Sequence, residues 1–319
     1  MKKSFKISVL IPCHSLKYLA ESIASIAKQT LGEDWYEVIL VGDRIDLEEA
    51  ERILSNHISN FRILKSELPG IVNALNLGLT NIDSPYVARL DDDDLMTPDR
   101  LEKQLLYLEK NVQVVAVGGQ IKLIGEDGTF LQYANFPLRV NQSVRCLFTS
   151  SPVAHPASMF RCNIVKSIGG YRDFLPEDWD LWVRLREIGL VENLPDVILQ
   201  YRVHPNQQSR NQMYGRSSGR SYVSASFFAR AIGISDSPKE GESKFDWLDQ
   251  TQRILREISP KYKKFEQWSV KQSEIESILE TKTKFTRLRS LLILGAKYPI
   301  TISRILAIEI VRKIRSFLK

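Results

Sequence analysis

The sequence predicts an α/β fold on a mostly parallel central sheet, Rossmann-like in its order of elements and followed by a C-terminal helical extension. Two observations carry this. From residue 7 to residue 110, short apolar runs alternate with longer stretches whose apolar residues recur every three or four positions. After about Asn206 the character changes: Gln, Asn, Ser and Arg dominate up to Arg220, and three further helical patterns follow.

The elements run as follows. Ile7 to Pro12 is a strand ending at the proline, and Lys17 to Gln29 is a helix with Leu19, Ile23, Ile26 and Ala27 on one face. Tyr36 to Val41 is a second strand, ending at Gly42-Asp43, and Asp46 to His57 is a second helix. Phe61 to Leu64 is a short strand, and Pro69 to Leu79 a helix with Ile71, Ala74, Leu75 and Leu79 inward. Val87, Ala88 and Leu90 mark a buried strand after the Ser84-Pro85 turn. Four consecutive aspartates follow, Asp91 to Asp94, and then a helix from Pro98 to Lys110 with Thr97 as its N-cap. Beyond it are a strand over 112–118, a hairpin over 119–133 turning at Glu126-Asp127-Gly128, and a short helix over 141–148. A loop enters a strand at 154–160, a helix begins at Glu177, and a last strand covers 197–203. Helices are expected over 221–231, 244–258 and 265–280.

Right-handed crossovers align the carboxyl ends of parallel strands, so Pro12, Asp43 and Asp91 are expected side by side along a crevice, where open α/β sheets bind ligands. Four adjacent carboxylates resist ionising together, and a divalent cation removes the conflict. Hard oxygen ligands in this number suit Mg²⁺ or Mn²⁺ held with a substrate phosphate. No GxGxxG follows the first strand and no GxxxxGK[ST] occurs, which disfavours dinucleotide-dependent dehydrogenases and P-loop enzymes.

Bulk properties narrow the class further. An apolar content of 43% with 26% charged residues is that of a soluble globular protein. Cys13, Cys146 and Cys162 make no CxxC pair and read as reduced thiols of a cytosolic protein. No signal peptide and no membrane span is expected. The net charge of +6 is uneven: residues 282–319 hold ten Lys or Arg and one acid, whereas the rest holds 34 basic and 37 acidic residues. Leu288, Leu291, Leu292, Ile305, Ile308, Val311, Ile314, Phe317 and Leu318 recur in this basic tail mostly three or four apart. Two amphipathic helices broken near Tyr298-Pro299 are expected to lie on an anionic membrane surface. Nucleic acid is not the expected partner, because no recognisable nucleic-acid module is present.

Several motifs stand in order: Val9-Leu10-Ile11-Pro12-Cys13-His14-Ser15; Gln29-Thr30; Gly42-Asp43-Arg44-Ile45; and Gly70, Ala74, Asn76 and Gly78 on one helix. Asp91, Asp93 and Asp94 precede Pro98, Arg100 and Leu101, and His155 to Arg161, Gly169 to Arg172, Glu177 to Trp182, and Tyr201, Arg202 and His204 follow. Over about residues 5–209 this ordered set resembles the inverting family 2 glycosyltransferases of the GT-A fold, of the type found in bacterial surface polysaccharide biosynthesis. His14-Ser15 and Gly42, Arg44 and Ile45 depart from the family pattern where the nucleotide base is held.

The resemblance implies a hexosyltransferase that moves a sugar from a nucleotide sugar, UDP-linked, to a glycan or lipid-linked acceptor. Asp93 would ligate Mn²⁺ or Mg²⁺, with Asp94 as the substitute if the register slips by one. Asp91 and Asp92 would hold the ribose or a metal-bound water, and Asp43 would accept from the uracil imide. Asp178 would be the general base, and His204 would reach the metal or the diphosphate. His155 lines the acceptor pocket or caps a loop. Pro12, His14, Asn73, Glu177, Trp179 and Arg202 complete the candidate substrate-binding set, and Trp182 is expected in the core. The implied organisation is a catalytic domain over 1–209, with a nucleotide half over 1–97 and an acceptor half over 98–209. A helical extension over 210–281 and the tail over 282–319 follow. The location implied is cytoplasmic, peripheral on the inner face of the cell membrane. A sugar-nucleotide pyrophosphorylase is the first rival, but Pro12 to Tyr18 lacks its Gly-rich basic phosphate loop. The second is an inactive membrane-bound scaffold on the same fold, against which Asp91, Asp93, Asp178 and His204 all stand.

Overall fold

The structure, a computed structural model, describes residues 4–142, 151–173, 176–205, 207, 215–231, 233–238 and 243–258. Among the described residues nine strands form one sheet: β1 (Ile7–Cys13), β2 (Tyr36–Gly42), β3 (Phe61–Lys65), β4 (Tyr86–Arg89), β5 (Leu95–Met96), β6 (Val114–Ile124), β7 (Phe130–Ala134), β8 (Met159–Arg161) and β9 (Leu190–Arg202). Their order is β3-β2-β1-β4-β8-β6-β9-β5, with β7 on β6. The first four strands are parallel, as periodicity predicts. The sheet as a whole is mixed, which corrects the mostly parallel expectation: β8 runs antiparallel to both β4 and β6, and β5 antiparallel to β9. The three residues of β8 are too few for local sequence to fix a direction.

One connection shapes the sheet. β4 and β5 lie four strand spacings apart in the order, about 19 Å if the sheet were flat. The six steps from Arg89 to Leu95 reach that far only when fully extended, roughly 20 Å. Instead the chain turns, with Asp94 N–H on Asp91 O at 3.5 Å. The sheet therefore curls until its far end returns over β4, and the four aspartates occupy the link that closes it.

Helices cover the sheet where apolar spacing places them: α1 (Leu19–Ala27), α2 (Leu47–Ser55), α3 (Ile71–Thr80) and α4 (Arg100–Lys110). Asp46 caps α2 by accepting from Glu48 N and Glu49 N at 3.0 and 3.1 Å. Thr97 does not cap α4 as expected. Its hydroxyl bonds Asp99, and the helix begins at Arg100. Gly78 lets α3 approach β1: a Cβ there would meet Leu10 Cδ1 at 2.2 Å. Val9, Ile11, Val38, Leu40, Ala88, Leu101 and Leu108 are fully buried in the core, and each large aliphatic contributes about 1.5–3 kcal/mol by leaving water.

Later elements are α5 (Cys162–Ser167), α6 (Glu177–Leu185), α7 (Gly215–Ala231) and α8 (Lys244–Ile258). Residues 121–134 pair as the expected antiparallel hairpin, with the end of β6 as its first strand. The turn at 125–129 joins β7 to a single long β6. The last strand starts seven residues before its expected position because Leu190 to Asn193 also pair with β6. The helix expected over 141–148 falls mostly outside the described residues, with a 3-10 turn at Val140–Gln142 before it. The helix over 265–280, the tail and Cys146 lie outside them as well. Cys13 and Cys162 are free and buried.

A compact unit spans Met1–Leu248, and a second comprises Asp249–Lys319. Within the first, Arg230 of α7 pairs with Glu187 at 2.9 Å. One sheet runs through the residues on both sides of position 97. Among the described residues no helix is long and apolar enough to cross a membrane.

Candidate active site

The Asp run leaves β4 with one carboxylate turned away from the other three. Asp92 turns toward the loop after β1, where its Oδ2 accepts from His14 N at 2.8 Å and Ser15 N at 2.9 Å. Asp91 pairs with the buried Arg89 guanidinium. Asp93 Oδ2 lies 2.8 Å from His204 Nε2. Asp94 is fully buried: Oδ1 accepts from Arg202 N at 2.8 Å, and Oδ2 has no protein partner among the described residues. Ligand atoms of Asp91, Asp93 and Asp94 all lie within 4.8 Å of one another. Burial, then the Asp91 charge, pushes Asp93 up to about 6 against the pull of His204. Burial, then Asp91 and Asp93, raises Asp94 well above the ordinary carboxylate value. Burial also raises Asp92, and its two backbone bonds oppose this. Three crowded oxygen ligands, one with an unmatched buried oxygen, fit a hard divalent cation.

The run is held from beneath. Arg202, expected among substrate-binding residues, is 1% exposed and placed as a brace. It donates to Asp93 O at 3.0 Å, Glu126 O at 2.6 Å and Glu21 Oε2 at 2.6 Å, with Tyr18 stacked on the guanidinium. Ser22 Oγ donates to Asp94 O at 2.6 Å. Gln29 ties α1 to the run's far side, donating to Thr97 O and accepting from Leu101 N. Arg100 is buried beside it, donating to Arg89 O and Pro156 O at 2.7 Å, and burial lowers its pKa to about 9. His204 follows β9, its ring 5.4 Å from Tyr18, and reaches Asp93 without entering the three-carboxylate group.

Beside the run lie the ends of β1 and β2, with Cys13 in register with Gly42 and Pro12 with Val41. Asp43 N–H donates to Cys13 O at 2.8 Å. Its carboxylate Oδ2 accepts from Gly70 N at 2.9 Å, which docks the start of α3, and His14 Nδ1 stands 3.8 Å away. Asn73 is exposed one turn into α3, with its amide on Pro69 O. Asn76 holds the Tyr171 backbone with both ends of its amide, at 2.8 and 2.9 Å.

The opposite wall is built on α6. Asp178, in its first turn, is partly buried, and its Oδ2 accepts from Ser151 Oγ at 2.8 Å. Burial, then Glu177's charge, raises its pKa. His155 is buried; Nε2 meets Tyr171 OH at 2.9 Å and Nδ1 lies 3.6 Å from Glu177. Burial and the Arg89 charge push this imidazole down to about 3, so it is neutral. Burial also raises Glu177, against Arg89. Trp179, expected to offer a face to a sugar, is 4% exposed and packed inward, as Trp182 is. The helix that carries it is anchored on both sides. That anchor is Asp180, which accepts from Arg172 Nε at 3.0 Å and Arg184 Nε at 2.8 Å. Arg172 goes on to Asp236 and Ser226, and Arg184 to Ile168 O and Gly170 O.

Sequence reasoning missed Arg89, whose fully buried charge links the two walls: Asp91 raises its pKa against burial, and its charge acts on Glu177 and His155. Its signal was position. An arginine in an otherwise apolar strand, two residues before an acidic run, is a buried counter-ion to that run.

Residues 8–169 match Glycosyl transferase family 2. The chain is 31% identical over 215 residues to an uncharacterized glycosyltransferase of Haemophilus influenzae, covering 65% of this chain and 79% of that one. It is 32% identical to the O-antigen biosynthesis glycosyltransferase WbnJ of Escherichia coli, covering 65% and 83%. The protein therefore belongs to glycosyl transferase family 2 and is a glycosyltransferase. Its fold is similar to that of S. aureus TarS 1-349 in complex with UDP-GlcNAc, with a TM-score of 0.55 at 16% identity, over 86% of this chain and 81% of that one. The mannosyltransferase PcManGT of Pyrobaculum calidifontis, in complex with GDP-Man and Mn2+, gives 0.54 at 16% identity, over 98% and 81%. Against a larger TarS structure the chain spans 44% of that protein's length.

Proposed function

We propose that this glycosyltransferase is metal-dependent and inverting, and moves a sugar from a UDP-linked donor to a glycan or lipid-linked glycan in polysaccharide biosynthesis. The observation that carries the reading is the pair of walls: a three-carboxylate cluster at the end of β4 and a partly buried carboxylate, Asp178, at the start of α6. Asp91, Asp93 and Asp94 would hold Mn²⁺ or Mg²⁺, with His204 orienting Asp93. A divalent ion there supplies Lewis-acid neutralisation of charge on the departing nucleoside diphosphate. The naming of WbnJ for O-antigen biosynthesis supports a bacterial surface polysaccharide as product. UDP-GlcNAc on one fold relative and GDP-Man with Mn2+ on another support a nucleotide-sugar donor and a metal.

Asp178 takes the proton of the acceptor hydroxyl as that oxygen bonds to the anomeric carbon and the bond to the diphosphate breaks. An acceptor hydroxyl has a pKa far above 7, so the proton leaves in the transition state. Burial makes Asp178 a stronger base than an exposed aspartate, and Ser151 fixes its orientation. Attack from the face opposite the leaving group inverts the anomeric centre. Asp43 accepts from the base, with Pro12, His14 and Asn73 along the same edge. Glu177 and His155 line the acceptor wall.

Nucleotide release from the full chain with UDP-sugars tests the reading. Release with Mn²⁺ that stops in EDTA is expected. Full activity in excess EDTA refutes the metal, and a product that keeps the donor's anomeric configuration refutes inversion.

A further inference from the structure

Arg44 follows Asp43 where β2 leaves the sheet, and among the described residues it is the one non-glycine residue with positive φ, +60°. The left-handed region crowds Cβ against the following carbonyl, and an arginine there is strained. Glycine takes the same backbone freely. The side chain gives little packing in return, being 68% exposed. Strain of this kind persists where the surroundings impose it and clusters at ligand sites.

What the arginine supplies is a position. Its Nε stands 3.6 Å from Asp43 Oδ1, beyond hydrogen-bond distance. Asp43's other oxygen is committed to Gly70 N at 2.9 Å. His14 Nδ1 borders the same carboxylate and contacts Asp43 O at 3.3 Å. A carboxylate oxygen and a guanidinium thus lie side by side at the carboxyl edge of the parallel strands, where such sheets receive ligands.

We propose that Arg44 is a specificity-determining residue that reads the base of the donor nucleotide together with Asp43. The carboxylate accepts a ring N–H, and the guanidinium donates to the carbonyl oxygen beside it. This rests on the nucleotide-sugar reading above and extends it to the chemistry of the base. Uracil offers N3–H between two carbonyls, and guanine offers N1–H next to O6. Cytosine and adenine present a ring lone pair beside an amino group, so each protein group there faces its own kind. A site built to pair with a ligand N–H and C=O rejects a base lacking them, because its own groups are left unpaired.

The test is calorimetric titration of UDP, GDP, CDP and ADP, each with Mn²⁺, into the full chain, Arg44→Gly and Arg44→Asn, with melting of each protein alone. Asparagine tolerates the left-handed backbone and covers the case in which glycine loosens the loop. Wild type is expected to bind UDP or GDP more tightly than CDP or ADP. Both variants lose about 10–100-fold for the preferred nucleotide, the range of one charge-assisted hydrogen bond. They lose little for CDP and melt no lower than wild type. Variants that keep the wild-type preference overturn the proposal and leave the donor site standing, as does a wild type that binds all four alike. A wild type that binds none of them overturns the donor-site reading itself.

Discussion

Asp178 and Asp180 sit two residues apart on α6, and exchanging each for asparagine separates chemistry from architecture. Asp180 is 3% exposed and holds two arginines. Removing one partner of a buried ion pair costs about 3–5 kcal/mol. Arg172 retains Asp236 and Ser226, and Arg184 retains two backbone carbonyls, which places Asp180→Asn near the low end, about 3 kcal/mol. At roughly 2–4 °C per kcal/mol for a unit of this size, the melting temperature falls by about 6–12 °C. Asp178→Asn behaves in the opposite way. An amide oxygen still accepts from Ser151, and the neutral side chain removes the cost of burying a charge, which is what raises the carboxyl's pKa. Its melting temperature holds or rises, while turnover falls by about 10²–10⁴-fold and donor binding persists. Thermal melts and nucleotide release on both proteins decide the matter. An Asp178→Asn protein that loses as many degrees as Asp180→Asn, or that keeps its turnover, refutes this division of labour.

Three further outcomes are expected. Asp178 acts ionised, and burial with Glu177 raises it above the ordinary 3.8, so kcat falls as the pH drops through a value above 3.8; an acid limb at or below that value removes Asp178 as the base. His204→Ala frees Asp93 of its 2.8 Å partner and weakens Mn²⁺-dependent donor binding more than acceptor binding; unchanged donor affinity and rate end that role for His204. The tail's basic excess predicts that the full chain sediments with anionic vesicles and is released by salt, at about 1 kcal/mol per basic residue near the leaflet, whereas a chain ending at Thr281 stays in the supernatant; equal behaviour of the two sinks the membrane reading.

The first four strands and helices were legible because most of the strands are continuous buried apolar runs and apolar residues recur every three or four positions in the helices, and both signals are local. β5 was not: Leu95-Met96 reads as a lead-in to α4, and only β9, a hundred residues on, makes it a strand. The carboxylate cluster was legible as composition, since four aspartates demand an explanation. Which of them turns away was not legible, because Asp92 is drawn off by two backbone N–H groups 78 and 77 residues earlier. Buried charges hid best. Arg89, Arg100 and Arg202 are all at most 1% exposed, yet in sequence an arginine on a buried brace looks like one in solvent. Asn76 was visible only as part of a motif; its partner, the Tyr171 backbone, lies 95 residues away.

The link that curls the sheet also sets a clock. Asp93 and His204 are separated by 111 residues, so at synthesis rates of about 5–20 residues per second the aspartates precede the histidine by roughly 6–20 seconds. During that interval the Asp run has the early donors His14, Ser15, Ser22 and Arg89 but lacks the Arg202 brace and the His204 contact. A cation or a nucleotide meeting the nascent chain finds no assembled cradle. Ligand capture therefore waits on closure of the curl, and from then on every bound ligand draws the equilibrium toward the closed chain by mass action.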